Sequence, residues 1–590
     1  MRLDRVCPIR EGLGAPAPPT TARSQRESRN KEDDLSRIGK KRTLLIAAAL
    51  MTSFIAPTGA ALPAAATVSA GTVSAANPTP AASAGQQSKQ GRIKVLLAAL
   101  RFMKKNYAKF ADFSPGPQDL FDYNIGNLWR QGIDGSGTSI ALIEGWDFPN
   151  IASAVARIDK LFHLPNPQIQ TIFPNGPLPA KCPAGMVKLG SYGSCDAWKG
   201  ELELDVITAH LIAPYAKIVI SATPADSEII DDAASQVAPP EMMKALEQIS
   251  SNHLANVISI SDGTGESTYS HGQEEITAQD PGELTAAAAG IPVMVATGDC
   301  GVVQNLAVAN GQCEDVSAAP DTAAWDDSPW VTAVGGSVPN FSSSGQRLGP
   351  DPVWHEGLFS EGAGFSSVFA RPSYQDGVSF ITGSSMRSVP DITADAQDGT
   401  SEAAPLFAGI LALATQMNHA NVGPINPALY NILGPAGTAD GIADVIKGNN
   451  STPTVPGFTA AKGFDVATGW GTINASKFVP GLVAATKAEH QEQASRSQAT
   501  TALRRLENSI QLSPDSIPAR HKAYLLDTGF LPGHPVELSI DGQQVATLTA
   551  TSLGYVTYML DPAALSLSPG PHVLQLTSML LTSTKTFSSN

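Results

Sequence analysis

Four short, mainly apolar runs constrain the fold of this chain more than any other feature: Thr138–Glu144, Lys217–Ser221, Val257–Ser261 and Ile291–Thr297. Stretches of helical period lie between them, at Ile151–Phe162, Met242–Ser250 and Glu274–Ala289. A strand with one wet face alternates apolar and polar residues, whereas a strand covered on both faces reads as a continuous apolar run. Such runs alternating with helices predict an α/β fold, a parallel sheet flanked by helices, with ligands at the carboxyl ends of the strands. This region is expected over 114–484.

The flanks read differently. Residues 1–39 are polar, Pro-rich and aperiodic, and are expected to be a disordered extension. Lys40-Lys41-Arg42 before Leu44–Leu50, with small residues at Thr58–Ala61, predicts an export signal over 40–62. The apolar run is short for a membrane span, so export is preferred to an anchor. An Ala/Ser/Thr/Pro-rich linker is expected over 63–113, with a basic amphipathic helix at Ile93–Phe110. A charged connector is expected over 485–516. Residues 517–590 alternate in period two, and Asp541-Gly542 is a hairpin turn signal. They predict a small all-β sandwich of immunoglobulin-like type that binds a surface or polymer, or acts as a spacer.

Charge narrows the partners. The net charge is −15, and residues 1–42 hold eleven Lys/Arg against six Asp/Glu, so the remainder carries −20. An acidic body disfavours nucleic acid and anionic membranes, and no membrane association is expected after signal removal. Four of the five cysteines form two local pairs, Cys182/Cys195 and Cys300/Cys313. In an exported chain these predict two disulfides, with connectivity left open by the spacing.

Three motifs offer chemistry. Gly399-Thr400-Ser401 opens an apolar helix, which puts a hydroxyl at the positive end of a helix dipole. Glu201 and Asp205 are i and i+4 on a second predicted helix, so they share a face. Buried together, such acids share a proton and can act as a base toward a hydroxyl. Asp299, in Thr297-Gly298-Asp299, follows a predicted strand, where a protonated carboxyl can donate to an oxyanion. His271-Gly272 lacks the strand-end aspartate that a histidine triad would need, and reads as a surface histidine.

In this order, Glu201-x-x-x-Asp205, Gly298-Asp299 and Gly399-Thr400-Ser401-x-x-x-Pro405 resemble the sedolisins, the serine-carboxyl peptidases of subtilisin-like fold. Ser328–Gly336, Gly364–Phe369, Arg371–Gln375 and Val389-Pro390-Asp391 add to the resemblance. It implies a secreted, acid-active endopeptidase acting on proteins or peptides. Ser401 would be the nucleophile, Glu201 the base, Asp205 its partner, Asp299 an oxyanion donor and Glu144 an extension of the acid network. It also implies one Ca2+ site from Asp444 and Asp465 with the carbonyls of Val445, Ala461 and Gly463.

Three departures from the family pattern define the alternative, a catalytically inactive sedolisin-like binding protein. Only some 50 residues, mostly linker, separate the signal from 114, where the family usually carries a prodomain. Asp262 stands in Ser259-Ile260-Ser261-Asp262-Gly263 where the family has tryptophan. The segment before Gly399 lacks the family's usual hairpin, leaving Gln397-Asp398-Gly399 to form a tight turn.

Overall fold

The computed structural model describes residues 87–589 except 112, 180, 183–193, 224–238, 270–275, 278–279, 305–307, 310–311, 314–318, 343–345, 490–510, 514–515, 518–521, 529, 531–534, 551–554 and 579–581. The expected extension, export signal and most of the linker lie outside the described residues, as does His271.

The main chain first forms helices α1 (Lys89–Lys105) and α2 (Ile125–Gln131), then strand β1 (Ser139–Glu144), α3 (Ile151–Phe162) and β2 (Gln168–Ile172). Next come α4 (Cys195–Ile212), β3 (Lys217–Ala222), α5 (Pro239–Ser251) and β4 (Val257–Ile260). They are followed by α6 (Asp280–Ala288), β5 (Val293–Ala296), β6 (Thr332–Ser337), β7 (Ile392–Asp395), α7 (Thr400–Asn418) and α8 (Ala475–Glu489). The seven strands form one sheet in the order β7-β6-β5-β4-β1-β3-β2. Every pairing in it is parallel.

The burial explains the continuous apolar runs. Ile140 and Leu142 of β1 enter one core cluster, while Ala141 and Ile143 enter another on the opposite face. Strand β3 divides likewise, with Ile218 and Ile220 on one side and Val219 on the other. Chain order reverses at β1, whose neighbours are β3 and β4. The switch point of an open parallel sheet leaves a crevice at the strands' carboxyl ends. Helix α7 is buried from Glu402 through Thr415 and packs on α4, α8 and the sheet. A Cβ on Gly409 would lie 2.8 Å from Ile212 Cβ, so glycine permits the close approach of α7 to α4.

Two expected boundaries are corrected. The linker does not reach residue 113, because α1 buries Leu96, Ala99, Leu100 and Met103. Those positions recur at i, i+3, i+4 and i+7, one apolar stripe facing the core and packing on α2. The helix expected at Ile93–Phe110 begins a turn earlier, where Ser88 Oγ accepts from Gly91 N at 3.2 Å, and it breaks at Asn106. At the other end α8 continues past 484 to Glu489, since Leu482, Val483 and Ala485 extend its buried face.

The C-terminal region is all-β, and it begins before 517. Strands β8 (Gln511–Ser513), β10 (Ala523–Thr528) and β13 (Tyr555–Leu560) form one antiparallel sheet, with β9 (Ser516–Ile517) between the first two in sequence. The other sheet has the order β9-β15-β14-β11-β12, with β11 (Pro535–Ile540), β12 (Gln543–Thr549), β14 (Gly570–Thr577) and β15 (Thr582–Ser589). Val536, Leu538 and Ile540 point into a core shared with Leu525, Val556, Leu574 and Phe587. Asp541 and Gly542, both at positive φ, turn β11 into β12 as a two-residue hairpin.

Candidate active site

Helix α4 carries the acid pair. Ser194 caps it by accepting from Ala197 N at 3.2 Å, and the disulfide Cys182–Cys195 fastens its first residue. Glu201 and Asp205 lie one turn apart on it, with Asp205 fully buried and Glu201 partly exposed. Glu144, the last residue of β1, is also fully buried and lies beside Asp205. Burial pushes Glu144 and Asp205 well above the usual carboxyl range, and the neighbouring acids push them further. Burial likewise pushes Glu201 up to about 7, and hydrogen bonding to the Ser401 side chain offsets part of that rise. Repulsion from Asp299, Asp262 and Asp398 adds to it.

The nucleophile candidate comes from the turn between β7 and α7. Ala396 N donates to Ser337 O and Gly399 N donates to Ala396 O, each at 3.0 Å, so Gln397 and Asp398 form the tight turn that the sequence suggests. Gly399 then takes φ 89°, a conformation that glycine accepts without strain. A Cβ there would lie 2.5 Å from Asp299 Oδ2. Asp299 Oδ1 accepts from Thr400 N at 2.8 Å and from Thr400 Oγ1 at 2.9 Å, which pins the helix start to the end of β5. Burial raises Asp299, and the two Thr400 donors lower it. The disulfide Cys300–Cys313 fastens the residue after it. Both expected disulfides are therefore formed, one directly after Asp299 and the other at the start of the helix that carries Glu201 and Asp205.

The sequence reading missed Ser261. Its Oγ lies 2.9 Å from Asp205 Oδ2 and 3.3 Å from the Ser401 carbonyl, so its single proton serves either acceptor. Pro405 explains why that carbonyl needs a donor: proline has no N–H for the i−4 position. The missed signal was the polar end of an apolar strand, Ser259-Ile260-Ser261. Asp262 is buried and lies close enough to raise both Glu144 and Glu201. His210, on the same helix as the acid pair, is bound to Asp159 of α3 at 3.0 Å and is buried.

The expected metal loop forms elsewhere. Asp444 Oδ2 accepts from Gly463 N at 2.9 Å. Asp465 accepts from Ala461 N at 2.7 Å and from Thr468 N at 2.9 Å. The two aspartates are near enough for Asp444 to raise Asp465, and Asp444 Oδ1 is a buried oxygen without a hydrogen-bond partner. Val445 is fully buried beside them in sequence.

Thus Ser401, Glu201, Asp205, Glu144 and Asp299 converge at the carboxyl end of a parallel sheet, and acids rather than a histidine lie beside the serine. A model of the subtilase family matches residues 207–428, starting just after Asp205. Kumamolisin of Bacillus sp. (strain MN-32) is 28% identical over 370 residues, covering 58% of this chain and 59% of its own length. Sedolisin of Pseudomonas sp. (strain 101) is 30% identical over 315 residues, covering 49% and 50%. A solved structure of Pseudomonas sedolisin, described as a serine-carboxyl proteinase, aligns with a TM-score of 0.49 at 24% identity over 60% of this chain and 94% of that one. Over this region the chain is similar to the sedolisins, and it spans about half the length of the curated relatives it matches.

Proposed function

We propose that the chain is a secreted, acid-active serine-type endopeptidase that hydrolyses peptide bonds in proteins. One observation carries this reading: Ser401 lies against Glu201, and the buried acids Asp205 and Glu144 lie close enough to repel their neighbours, with no histidine or cation among the four. Glu201 is the member raised to about 7, whereas Glu144 and Asp205 are held well up. It is therefore the acid that gives up its proton first and can accept one from Ser401. When Asp299 and Asp398, both raised, are protonated in acid, their repulsion of Glu201 falls away and its ionised form becomes easier to reach.

In this reading the Ser401 hydroxyl attacks the peptide carbonyl as its proton moves to Glu201, which then passes it to the leaving amine. Asp205, held by the Ser261 hydroxyl and lying beside Glu144, supports the charge on Glu201. Asp299 keeps Oδ1 on Thr400, and a proton on Oδ2 would face the oxyanion. Water then attacks the acyl-enzyme by the same route in reverse.

Secretion is supported by the two disulfides, which persist in oxidising compartments. Among the described residues no helix is long and apolar enough to cross a membrane. The Asp444–Asp465 loop fits a hard cation, since two carboxylates and an orphaned buried oxygen meet beside the carbonyls of Val445, Ala461 and Gly463. These residues would hold one Ca2+ and tie that loop down. The β region would bind a surface or polymer.

The test is cleavage of a denatured protein at about pH 4, where the neighbouring acids are protonated. Ser401→Ala should lower the rate at least ~10³-fold, as for other concerted serine sites. Absent cleavage, cleavage that survives the substitution, or a neutral optimum overturns the reading. Absent cleavage would favour the inactive binding protein.

A further inference from the structure

A second acid group meets at the same helix start. Asp119, Asp395 and Glu402 each bring a carboxylate oxygen within 4.8 Å of the others, and all three are fully buried. They come from the short helix Pro117–Asp122, the end of β7 and the residue after Ser401. Asp119 Oδ2 accepts from Gly116 N at 2.9 Å, whereas Oδ1 is buried without a donor among the described residues. Asp395 accepts from Gln397 N at 3.2 Å and from Gln397 Nε2 at 3.1 Å. Glu402 takes the Ser114 hydroxyl at 2.6 Å on Oε1, and Asp398 N at 3.0 Å on Oε2.

These contacts decide between a cation and protons. The oxygens of Asp395 and Glu402 are already engaged by N–H and O–H donors, which a metal would have to displace. Complete burial leaves no room for the waters that a hard cation keeps. Arg347 spends its charge on Asp122 and on Asp351, the latter at 3.1 Å. The other groups facing the cluster are Asp398, Asp351, Glu356 and the Tyr123 hydroxyl, which accepts from Asp395 N at 2.7 Å. Burial and repulsion from neighbouring acids push Asp119 and Glu402 well up, whereas burial pushes Asp395 to about 6 and its hydrogen bonds to Asp119 and Gln397 offset part of that rise. Asp119 Oδ1 is thus the place for a proton donated to Asp395.

We propose that Glu402 is a positioning residue for Ser401, holding the short approach through Asp398 and Ser114, and that this hold lasts only while Asp119, Asp395 and Glu402 share protons. The proposal rests on the peptidase reading. Ionisation at neutral pH would put three negative charges in one dry cluster next to the nucleophile. The pH limit on activity would then arise partly outside the groups that touch substrate.

Full-length wild type, Glu402→Ala, Glu402→Gln and Asp119→Asn are compared in kcat and KM from pH 3 to 8. Glu402→Ala should lower kcat about 100-fold with little change in KM, the scale of a displacement of about 1 Å. Glu402→Gln, which keeps an acceptor but cannot ionise, should recover most of that loss in acid and move the alkaline limb up by roughly one pH unit. Asp119→Asn should move the same limb in the same direction. An active wild type whose alkaline limb superimposes on that of Glu402→Gln overturns the proposal alone. An inactive wild type overturns the peptidase reading itself. Where Glu402→Ala fails to fold, the two conservative variants decide. Ca2+ or Mn2+ raising the melting temperature of wild type but not of Glu402→Gln would overturn the proton reading in favour of a bound cation.

Discussion

Two buried carboxyl sites in this fold are neutralised in opposite ways. At Asp391, Arg387 donates from Nη1 to Oδ1 at 2.9 Å and from Nη2 to Oδ2 at 2.8 Å, with both residues fully buried. Tyr430 Oη and Ala333 N complete the carboxylate's partners at 2.8 and 2.9 Å. At Glu144, Glu201 and Asp205 the partners are other acids and serine hydroxyls. A guanidinium keeps its charge throughout the working pH range, so the first site holds one geometry at any such pH. The second needs protons, and its geometry and charge follow pH. The fold therefore keeps its pH-insensitive brace under β6 and its pH-sensitive acids at Ser401.

The largest effect should come from breaking the brace. Arg387→Met leaves Asp391 buried without its cation, which costs about 3–5 kcal/mol in comparable sites. Urea unfolding at pH 7 should show that loss. An equal loss when Asp391→Asn accompanies Arg387→Met would mean that packing around the guanidinium, not its charge, is what matters.

A smaller effect should appear at the acid site. Glu201 is raised from an ordinary 4.5 to about 7. Between those values the folded state holds a proton that the unfolded state has released, so stability is full below about 4.5 and falls as pH rises toward 7. Asp395 and Asp398, raised to about 6 and about 7, act in the same direction. Wild type should therefore melt higher at pH 4 than at pH 7. Glu201→Gln should flatten that slope by roughly 2–4 °C, the worth of ~1 kcal/mol in a domain of this size. A melting temperature that rises from pH 4 to 7 would contradict the assignment of protons to these acids.

Much of this contrast was legible in the sequence, where it was local. The i, i+4 spacing of Glu201 and Asp205 put both on one face, and the apolar runs foretold a sheet covered on two sides. The four cysteines closed as two local disulfides, each spanning thirteen residues, a connectivity that the spacing alone had left open. What stayed hidden was non-local. Asp119 and Glu402 meet across the chain, and no window of sequence holds both. Glu402 did leave a trace, a charged residue inside an otherwise apolar buried helix. The apolar stripe of α1 was readable too, but the basic residues around Leu96 and Met103 made a solvated helix in a linker the easier reading. Strand β6, Thr332–Ser337, was obscured by Gly335 and Gly336, which lower strand propensity yet fit where Pro390 and Glu361 crowd the backbone.

The Asp444–Asp465 loop would add a third means of burying carboxylates, by a cation taken from solution. The pair is half-exposed at Asp444, and repulsion between the aspartates remains in the absence of a cation. Sites of this kind in extracellular modules bind Ca2+ with Kd of about 10⁻⁴–10⁻³ M. At about 1 mM Ca2+ the linkage relation then gives ~0.4–1.4 kcal/mol. That corresponds to a rise in melting temperature of roughly 1–5 °C over protein in chelator, of the same order as the effect at the acid site and below that of breaking the brace. Asp465→Asn should abolish the response while leaving the pH slope of the acid site in place. An identical melting temperature with Ca2+ and with chelator would remove the ion from the account, leaving Asp444 and Asp465 as turn residues held by Gly463 N and Thr468 N.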